Sequence, residues 1–205
     1  SGMAYAANTA ALRTDFPESR IKTFWVDALE YSTMAANNQY FKAAKYGDAN
    51  AAFLAFIKTY PNSGLLPNAW YWAGSSHFQM KEYAKAAEAF RQAVELLPTH
   101  PDGRQNLANA LLRANDPAGA AAQANELIRL NQNLGAAHFL LGAALLRQGQ
   151  SEPALAELQV SKDIERTVNA TSYLLGRAHQ ELGHFDDALA LYEEVLAFET
   201  NHPAA

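Results

Sequence analysis

The sequence predicts an all-α fold, a solenoid of stacked antiparallel helix pairs. Three observations carry that prediction. Windows beginning at Pro67, Pro101, Gly135 and Asn169 follow one another at intervals of 34 residues without a gap. Each window holds two amphipathic stretches with roughly 3.6-residue periodicity, and no segment alternates convincingly as a strand would. Small side chains recur at two fixed positions: Gly74, Ala108, Gly142 and Gly176 at the eighth, and Ala86, Ala120, Ala154 and Ala188 at the twentieth. Side chains that small let the two helices of a hairpin approach closely. A fixed period in this range marks a repeat architecture, in which stacked units bury a core that no single unit could bury alone.

The elements follow in chain order. A partial helix is expected near 4–14, packed in front as half a repeat. Nothing breaks the segment from Arg20 to Tyr46, which reads as one helix or two. Gly47, Ala52 and Phe56 fall on positions fifteen, twenty and twenty-four of a window begun at Thr33, so a second helix is expected near 48–60. Tyr60-Pro61 closes that helix and Pro67 opens the next. Helices are then expected over 67–80 and 83–96, 101–114 and 117–130, 135–148 and 151–165, and 169–182 and 185–199. Position fifteen, occupied by Lys81, Asn115, Gly149 and Gly183, sits where each hairpin turns. Position seven, Ala73, Leu107, Leu141 and Leu175, fills the space between the helices. Asp116-Pro117 supplies an N-cap followed by a first-turn proline. The expected division is a tag remnant at 1–2, a divergent N-terminal helical segment of one to one-and-a-half repeats over 3–66, and repeats at 67–100, 101–134, 135–168 and 169–202. Together they form one continuous solenoid domain.

Composition narrows the function. Hydrophobic residues make up 49% of the chain and charged residues 18%, which fits a globular protein and not a disordered one. A formal net charge of -5 gives no electrostatic case for binding nucleic acid or an anionic membrane. The longest near-apolar run, Leu134 to Leu146, is too short to span a bilayer, so no membrane insertion is expected. The chain has no cysteine, which excludes disulfides, zinc-thiolate sites, iron-sulfur clusters and thiol nucleophiles. Ser1-Gly2 ahead of Met3 reads as the scar of a cleaved tag, so the natural N-terminus is expected to be missing.

No catalytic chemistry is expected. There is no HExxH, GxSxG, phosphate loop or GxGxxG. Of the six histidines, His77 and His179 fill the eleventh position of their windows, which faces the hairpin interior, and both read as packed, hydrogen-bonded side chains. Asp186-Asp187 and Glu193-Glu194 read as solvated charges on the last helix. No enzyme activity, cofactor or metal site is expected.

The first window also resembles a known family. Trp70, Gly74, Tyr83, Ala86, Phe90, Ala93 and Pro98 stand at its fourth, eighth, seventeenth, twentieth, twenty-fourth, twenty-seventh and thirty-second positions, where the tetratricopeptide repeat (TPR) carries such residues. The second and third windows are looser, with Pro117 and Ser151 in place of the aromatic at position seventeen. The resemblance implies a right-handed α-solenoid whose first helices line a concave face through positions two, five, six, nine, twelve and thirteen. Carried onto this chain, those positions give Asn68, Tyr71, Trp72, Ser75, Phe78 and Gln79; then Gln105, Asn106, Asn109, Leu112 and Arg113. The third window gives Phe139, Leu140, Ala143, Leu146 and Arg147, and the fourth Tyr173, Leu174, Arg177, Gln180 and Glu181. The implied function is a non-enzymatic scaffold or adaptor that takes a peptide or extended protein segment in this groove. The alternative is a structural, self-assembling module that uses its ends or convex face. Arg113 and Arg147 hold the same position in successive windows and are expected to line up along the groove.

Two narrower expectations come with the family. Chaperone-binding members use a carboxylate clamp, whose positions here read Tyr71, Ser75, Asn106, Ala136 and Leu140; only Asn106 matches, so acidic chaperone tails are not the expected ligand. The stretch over roughly 45–97, with Tyr60-Pro61-Asn62-Ser63 and then Pro67-Asn68-Ala69 before Tyr71-Trp72 and Gly74, is similar to the TPR domain of the Tol–Pal-associated YbgF/CpoB family. That similarity implies a periplasmic or outer-membrane-associated protein of a bacterial envelope, with a cytoplasmic protein as the alternative. Finally, the outer side of the last repeat, including Leu189, Leu196 and Phe198, is expected to stay uncovered and to offer a self-association surface.

Overall fold

The computed structural model describes residues 18–164 and 169–201. It is helical throughout, with no strand among the described residues. The order is α1 (Glu18–Lys42), α2 (Tyr46–Thr59), α3 (Leu66–Gln79), α4 (Tyr83–Leu96), α5 (Pro101–Arg113), α6 (Pro117–Leu130), α7 (Gly135–Arg147), α8 (Ser151–Ile164), α9 (Asn169–Glu181) and α10 (Phe185–Asn201). The segment expected to run unbroken from Arg20 to Tyr46 is a single 25-residue helix, α1, only as far as Lys42, and a turn at Ala44 separates it from α2, which Tyr46 opens. The helix expected near 4–14 lies outside the described residues.

Each helix packs against the next along the chain, so the molecule is a stack of hairpins. One further set of contacts gives the stack its sense. The first helices of successive hairpins touch: α1 with α3, α3 with α5, α5 with α7 and α7 with α9. Among the described residues, the backbones of successive second helices stay farther apart, although the Lys162 ammonium of α8 reaches the Glu194 carboxylate of α10 at 2.6 Å. The first helices therefore form the inner row of a curved stack.

The hairpins close on a repeated turn. Lys81, Asn115, Gly149 and Gly183 all have positive φ. At Lys81 the backbone N–H bonds the Phe78 carbonyl at 2.9 Å, and the Glu82 N–H bonds the His77 carbonyl at 2.9 Å. This pairing, with a left-handed residue just past the helix, satisfies carbonyls that the helix end would leave bare. The same pair of bonds recurs at Asn115 and Asp116, Gly149 and Gln150, and Gly183 and His184. As the Asp116-Pro117 pair predicts, the Asp116 side chain caps α6, accepting from the Gly119 N–H at 2.8 Å.

The two small positions work with a third. A Cβ added to Gly74 would sit 2.8 Å from the Phe90 ring, one on Gly142 2.5 Å from Leu158, and one on Gly176 2.6 Å from Tyr192. Position eight thus lies against position twenty-four. In the second hairpin position twenty-four is Ala124, and there position eight is Ala108, both fully buried. Glycine faces a large side chain and alanine faces alanine, which keeps the gap filled in every hairpin. Around these rows the core runs down the stack in three linked clusters, from Met34 and Phe53 through Phe90, Leu107 and Leu141 to Leu158 and Leu175.

The N-terminal hairpin corrects the frame begun at Thr33. Its left-handed residue is Ala44, not Gly47. The Ala44 and Lys45 N–H groups bond the Phe41 and Tyr40 carbonyls in the pattern of the other turns. Ala49 and Phe53 have no exposed surface, whereas Ala52 is half-buried and Gly47 is exposed. The hairpin therefore follows the common scheme three residues earlier, from Glu30. The offset is taken up in the loop before α3. There Ser63 donates to the Glu30 carboxylate, and its Oγ accepts from the Leu65 N–H at 3.1 Å, tying the loop to α1.

Candidate partner-binding groove

The inner row of α3, α5, α7 and α9 carries the residues expected to face a partner. Asn68, Gln79, Arg113, Arg147, Tyr173 and Gln180 are exposed. Tyr71, Trp72, Ser75, Phe78, Gln105, Asn106, Asn109, Phe139 and Arg177 are half-buried. Three leucines expected in the groove are not on its surface: Leu112, Leu140 and Leu146 are 8%, 2% and 4% exposed. They pack into the core, because this inner row is covered on its flanks by the neighbouring first helices. Leu140 is also a clamp position, so its burial removes that contact as well.

The aromatic triplet of α3 divides differently from the expectation that Tyr71 and Trp72 both face the groove. Trp70 packs on the N-terminal cluster that includes Ala89. Trp72 packs there too. Its ring lies 5.0 Å from Phe41, edge to face, and 6.5 Å from Phe53, stacked. It is part of the joint between the N-terminal hairpin and the rest of the stack, and only its remaining surface reaches the groove. Tyr71 meets Phe90 at 5.7 Å and Trp72 at 5.4 Å. Its hydroxyl accepts from Asn106 Nδ2 at 2.9 Å, linking α3 to α5. Burial pushes the Tyr71 hydroxyl pKa above its usual value, and the nearby Asp102 carboxylate adds to that, against the opposing Asn106 and Ser75 hydrogen bonds.

Farther along the row, several polar groups are already engaged. Arg147 Nη1 donates to the Leu112 carbonyl at 2.5 Å, so this arginine supports the C-terminal end of α5. The expected alignment of Arg113 and Arg147 thus leaves one of the two guanidinium groups committed to the fold. Arg177 pairs with Glu181 at 3.1 Å, and Gln180 accepts from the Tyr192 hydroxyl at 2.9 Å. Burial and the neighbouring Tyr173 raise the Tyr192 pKa.

The residues that the structure does bring together form a cleft of about 340 Å³ at the first hairpin. Pro67, Asn68, Tyr71 and Trp72 of α3 supply one wall, Ala93 and Leu97 another, and His100, Asp102 and Gly103 the third. The last five of these were missed in the sequence, where Leu97 to Pro101 reads only as a helix ending. The signal that could have found them is the frame itself, since Asp102 holds the same second position as Asn68. The other groove residues lie along the row and not in this cleft.

The two histidines expected to be packed, His77 and His179, are both half-buried, and His179 lies beside the exposed His184 and Asp187. His77 Nδ1 lies 2.6 Å from Glu82 Oε2, and hydrogen bonds from Lys85 and His77 hold the Glu82 carboxyl below its usual pKa. His138, in the apolar run of α7, is 8% exposed, with Nδ1 2.7 Å from Glu157 Oε2 and Nε2 3.0 Å from the Gln132 carbonyl.

Comparison with known proteins agrees with this geometry. Residues 67–100 match the family model of the tetratricopeptide repeat, and residues 118–195 that of anaphase-promoting complex, cyclosome, subunit 3. The E3 ubiquitin-protein ligase CHIP of Arabidopsis thaliana is 28% identical over 109 residues, which are 53% of this chain and 39% of that protein. The chain therefore spans well under half the length of this relative. Among solved structures, MamA from residue 41 onward of Desulfovibrio magneticus RS-1 superposes with a TM-score of 0.76 at 16% identity, covering 85% of this chain and 97% of that one. YrrB, described as a TPR protein with an unusual peptide-binding site, superposes with a TM-score of 0.68 at 18% identity, covering 83% and 86%. The chain thus carries a match to the tetratricopeptide repeat at 67–100, and its described stack has the fold of solved tetratricopeptide-repeat solenoids.

Proposed function

We propose that the chain is a non-enzymatic adaptor that takes an extended segment of a protein partner along its inner row. The observation that carries this reading is the cleft at the first hairpin. It is open and aromatic-walled, and Asn68, His100 and Asp102 stand at its rim. Rigid aromatic walls offer apolar area at little entropic cost, and a few convergent polar groups fix orientation. The amides of Gln105 and Asn109 continue the row and suit the backbone of an extended chain. Asp102 gives the cleft a negative edge, so the segment favoured is one with an apolar side chain beside a basic one. A solved structure of the same fold is described as having a peptide-binding site, which supports the reading by analogy.

Peptides selected from a random display library on the intact protein test this directly. Asn68→Ala with Asp102→Ala changes two exposed positions and leaves the core alone; we expect it to weaken the selected peptides about tenfold or more. Peptides that bind the double variant equally well would overturn the groove assignment.

The setting we propose is the envelope of a bacterium, periplasmic or associated with the outer membrane, and it rests on the similarity of 45–97 to the Tol–Pal-associated proteins. Fractionation of cells producing the natural full-length protein tests it, and a purely cytoplasmic location would overturn it. A second reading has its own observation: on α10, Phe185 is 69% exposed and Leu189 58%. Apolar area of that kind suits a self-associating module. Sedimentation that depends on concentration in the wild type but not in Leu189→Ser would favour it over the adaptor.

A further inference from the structure

We infer that the turn between α9 and α10 is a binding site for a borderline divalent transition-metal ion, Zn²⁺ in the first place, held by His179, His184 and Asp187. One ligand atom from each of these residues lies within 4.8 Å of the other two. His179 Nδ1 is 3.4 Å from His184 Nδ1 and 3.7 Å from Asp187 Oδ2. A tetrahedral ion with bonds of about 2.0–2.1 Å needs ligand atoms about 3.3–3.4 Å apart. The two edges that meet at His179 are close to that already. The third joins His184 to Asp187, both exposed, and closes by side-chain rotation.

The backbone fixes this convergence. Gly183 takes φ +80°, and the His184 N–H bonds the His179 carbonyl at 2.9 Å, which brings the two side chains together across the turn. The first hairpin shows the same turn bringing the same two positions together, there His77 and Glu82 at 2.6 Å. In that hairpin the third place is Lys85, whose Nζ lies 3.0 Å from Glu82, so the trio of imidazole, carboxylate and ammonium contains its own cation. In the last hairpin the glutamate is replaced by His184 and the lysine by Asp187. The result is two imidazoles and a carboxylate, three donors with no lysine or arginine among them.

Donor chemistry selects the ion. Two imidazole nitrogens with one carboxylate suit Zn²⁺ and its neighbours Co²⁺, Ni²⁺ and Cu²⁺, whereas Mg²⁺ and Ca²⁺ want all-oxygen shells. The positive end of α10 disfavours a cation at its first turn, and Asp186 and Asp187 in that turn offset it. Three protein ligands leave the fourth position to solvent or to a partner's side chain. A metal here ties α9 to α10 at the turn of the last described hairpin.

The test is titration of the whole chain, free of any histidine tag, with Zn²⁺ followed by calorimetry and with Co²⁺ followed by visible absorption. One ion per chain, with the intense visible band of tetrahedral Co²⁺, is expected. His184→Glu with Asp187→Lys rebuilds the first hairpin's trio, and should keep helicity while weakening Zn²⁺ at least tenfold. Asp187→Asn, a change of nearly equal size at an exposed position, should weaken it in the same direction. His77→Gln should leave Zn²⁺ binding unchanged. Failure to bind Zn²⁺ at millimolar concentration, or equal binding by both the rebuilt and the Asp187→Asn variants, would overturn the assignment.

Discussion

The first and third hairpins make the same joint with opposite chemistry. In both, position four of the first helix and position twenty-three of the second belong to the same packed region. The first hairpin places Trp70 there with Ala89, in an apolar cluster. The third places His138 with Glu157, 2.7 Å apart, in a region that is otherwise core. The second hairpin takes the polar solution too, with Arg104 Nη1 donating to Gln123 Oε1 at 2.9 Å. The fold needs this contact filled and its polar atoms satisfied; it does not need a tryptophan. Those polar pairs, together with Pro117 and Ser151 at position seventeen, make the second and third windows match the family pattern less well than the first, although they form the same hairpin.

That comparison can be broken in three ways. The largest effect should come from position twenty-four. Leu158→Ala removes a fully buried side chain of the third hairpin and should cost about 2–5 kcal/mol. Gly142→Ala alone should cost about 1–3 kcal/mol by overpacking, because its Cβ would fall on Leu158. Together the two rebuild the Ala108–Ala124 pairing of the second hairpin, so the double variant should cost less than the sum. Denaturant melts of all four proteins measure this, and strict additivity would show that the eight-to-twenty-four fit is not what couples the helices.

A middle-sized effect is expected at the polar joint. His138→Ala leaves the Glu157 carboxylate partly buried without its imidazole, at a cost of about 1–3 kcal/mol. His138→Trp with Glu157→Ala copies the first hairpin and should be more stable than His138→Ala by thermal melting. A double variant less stable than the single one would mean that the two joints are not interchangeable.

The smallest effect belongs to the link between the first and second hairpins. Tyr71→Phe loses the Asn106 hydrogen bond and should cost about 1 kcal/mol at neutral pH. The raised Tyr71 pKa adds a pH signature. The folded state favours the neutral hydroxyl. Its contribution is therefore fully present below the unfolded value of about 10 and is lost as pH rises through the higher folded value. Above about pH 10 the wild type should lose stability faster than Tyr71→Phe, which thermal melts in alkaline buffers would reveal; parallel loss would argue against a buried Tyr71 hydroxyl.

The helices were legible because their signals are local. Glycine, proline and small residues at fixed spacing put each end of α2 to α10 within two residues of its expected place. Local signals also caused the one slip of register. Gly47 looks like a turn glycine, but the left-handed residue is Ala44, and sequence cannot tell that an alanine will accept a positive φ that the surrounding hydrogen bonds impose. The groove was less legible, since exposure on a first helix depends on what the neighbouring hairpins cover. Trp72 finds Phe41 and Phe53 from a different hairpin, and Arg147 reaches the Leu112 carbonyl from the next one. Neither partner is visible from the window that contains the residue.

The uneven contacts between hairpins have a mechanical consequence. First helices come closer to their counterparts in the next hairpin than second helices do; the second helices meet through side chains such as Lys162 and Glu194. The stack therefore behaves as a spring hinged along its inner row. Flexing it opens or narrows the outer gaps, where partly exposed contacts such as the Lys162–Glu194 pair have to give, while the small-residue seams inside each hairpin stay closed. Such a body can adjust its curvature to the girth of what lies along it and return to its resting arc afterwards.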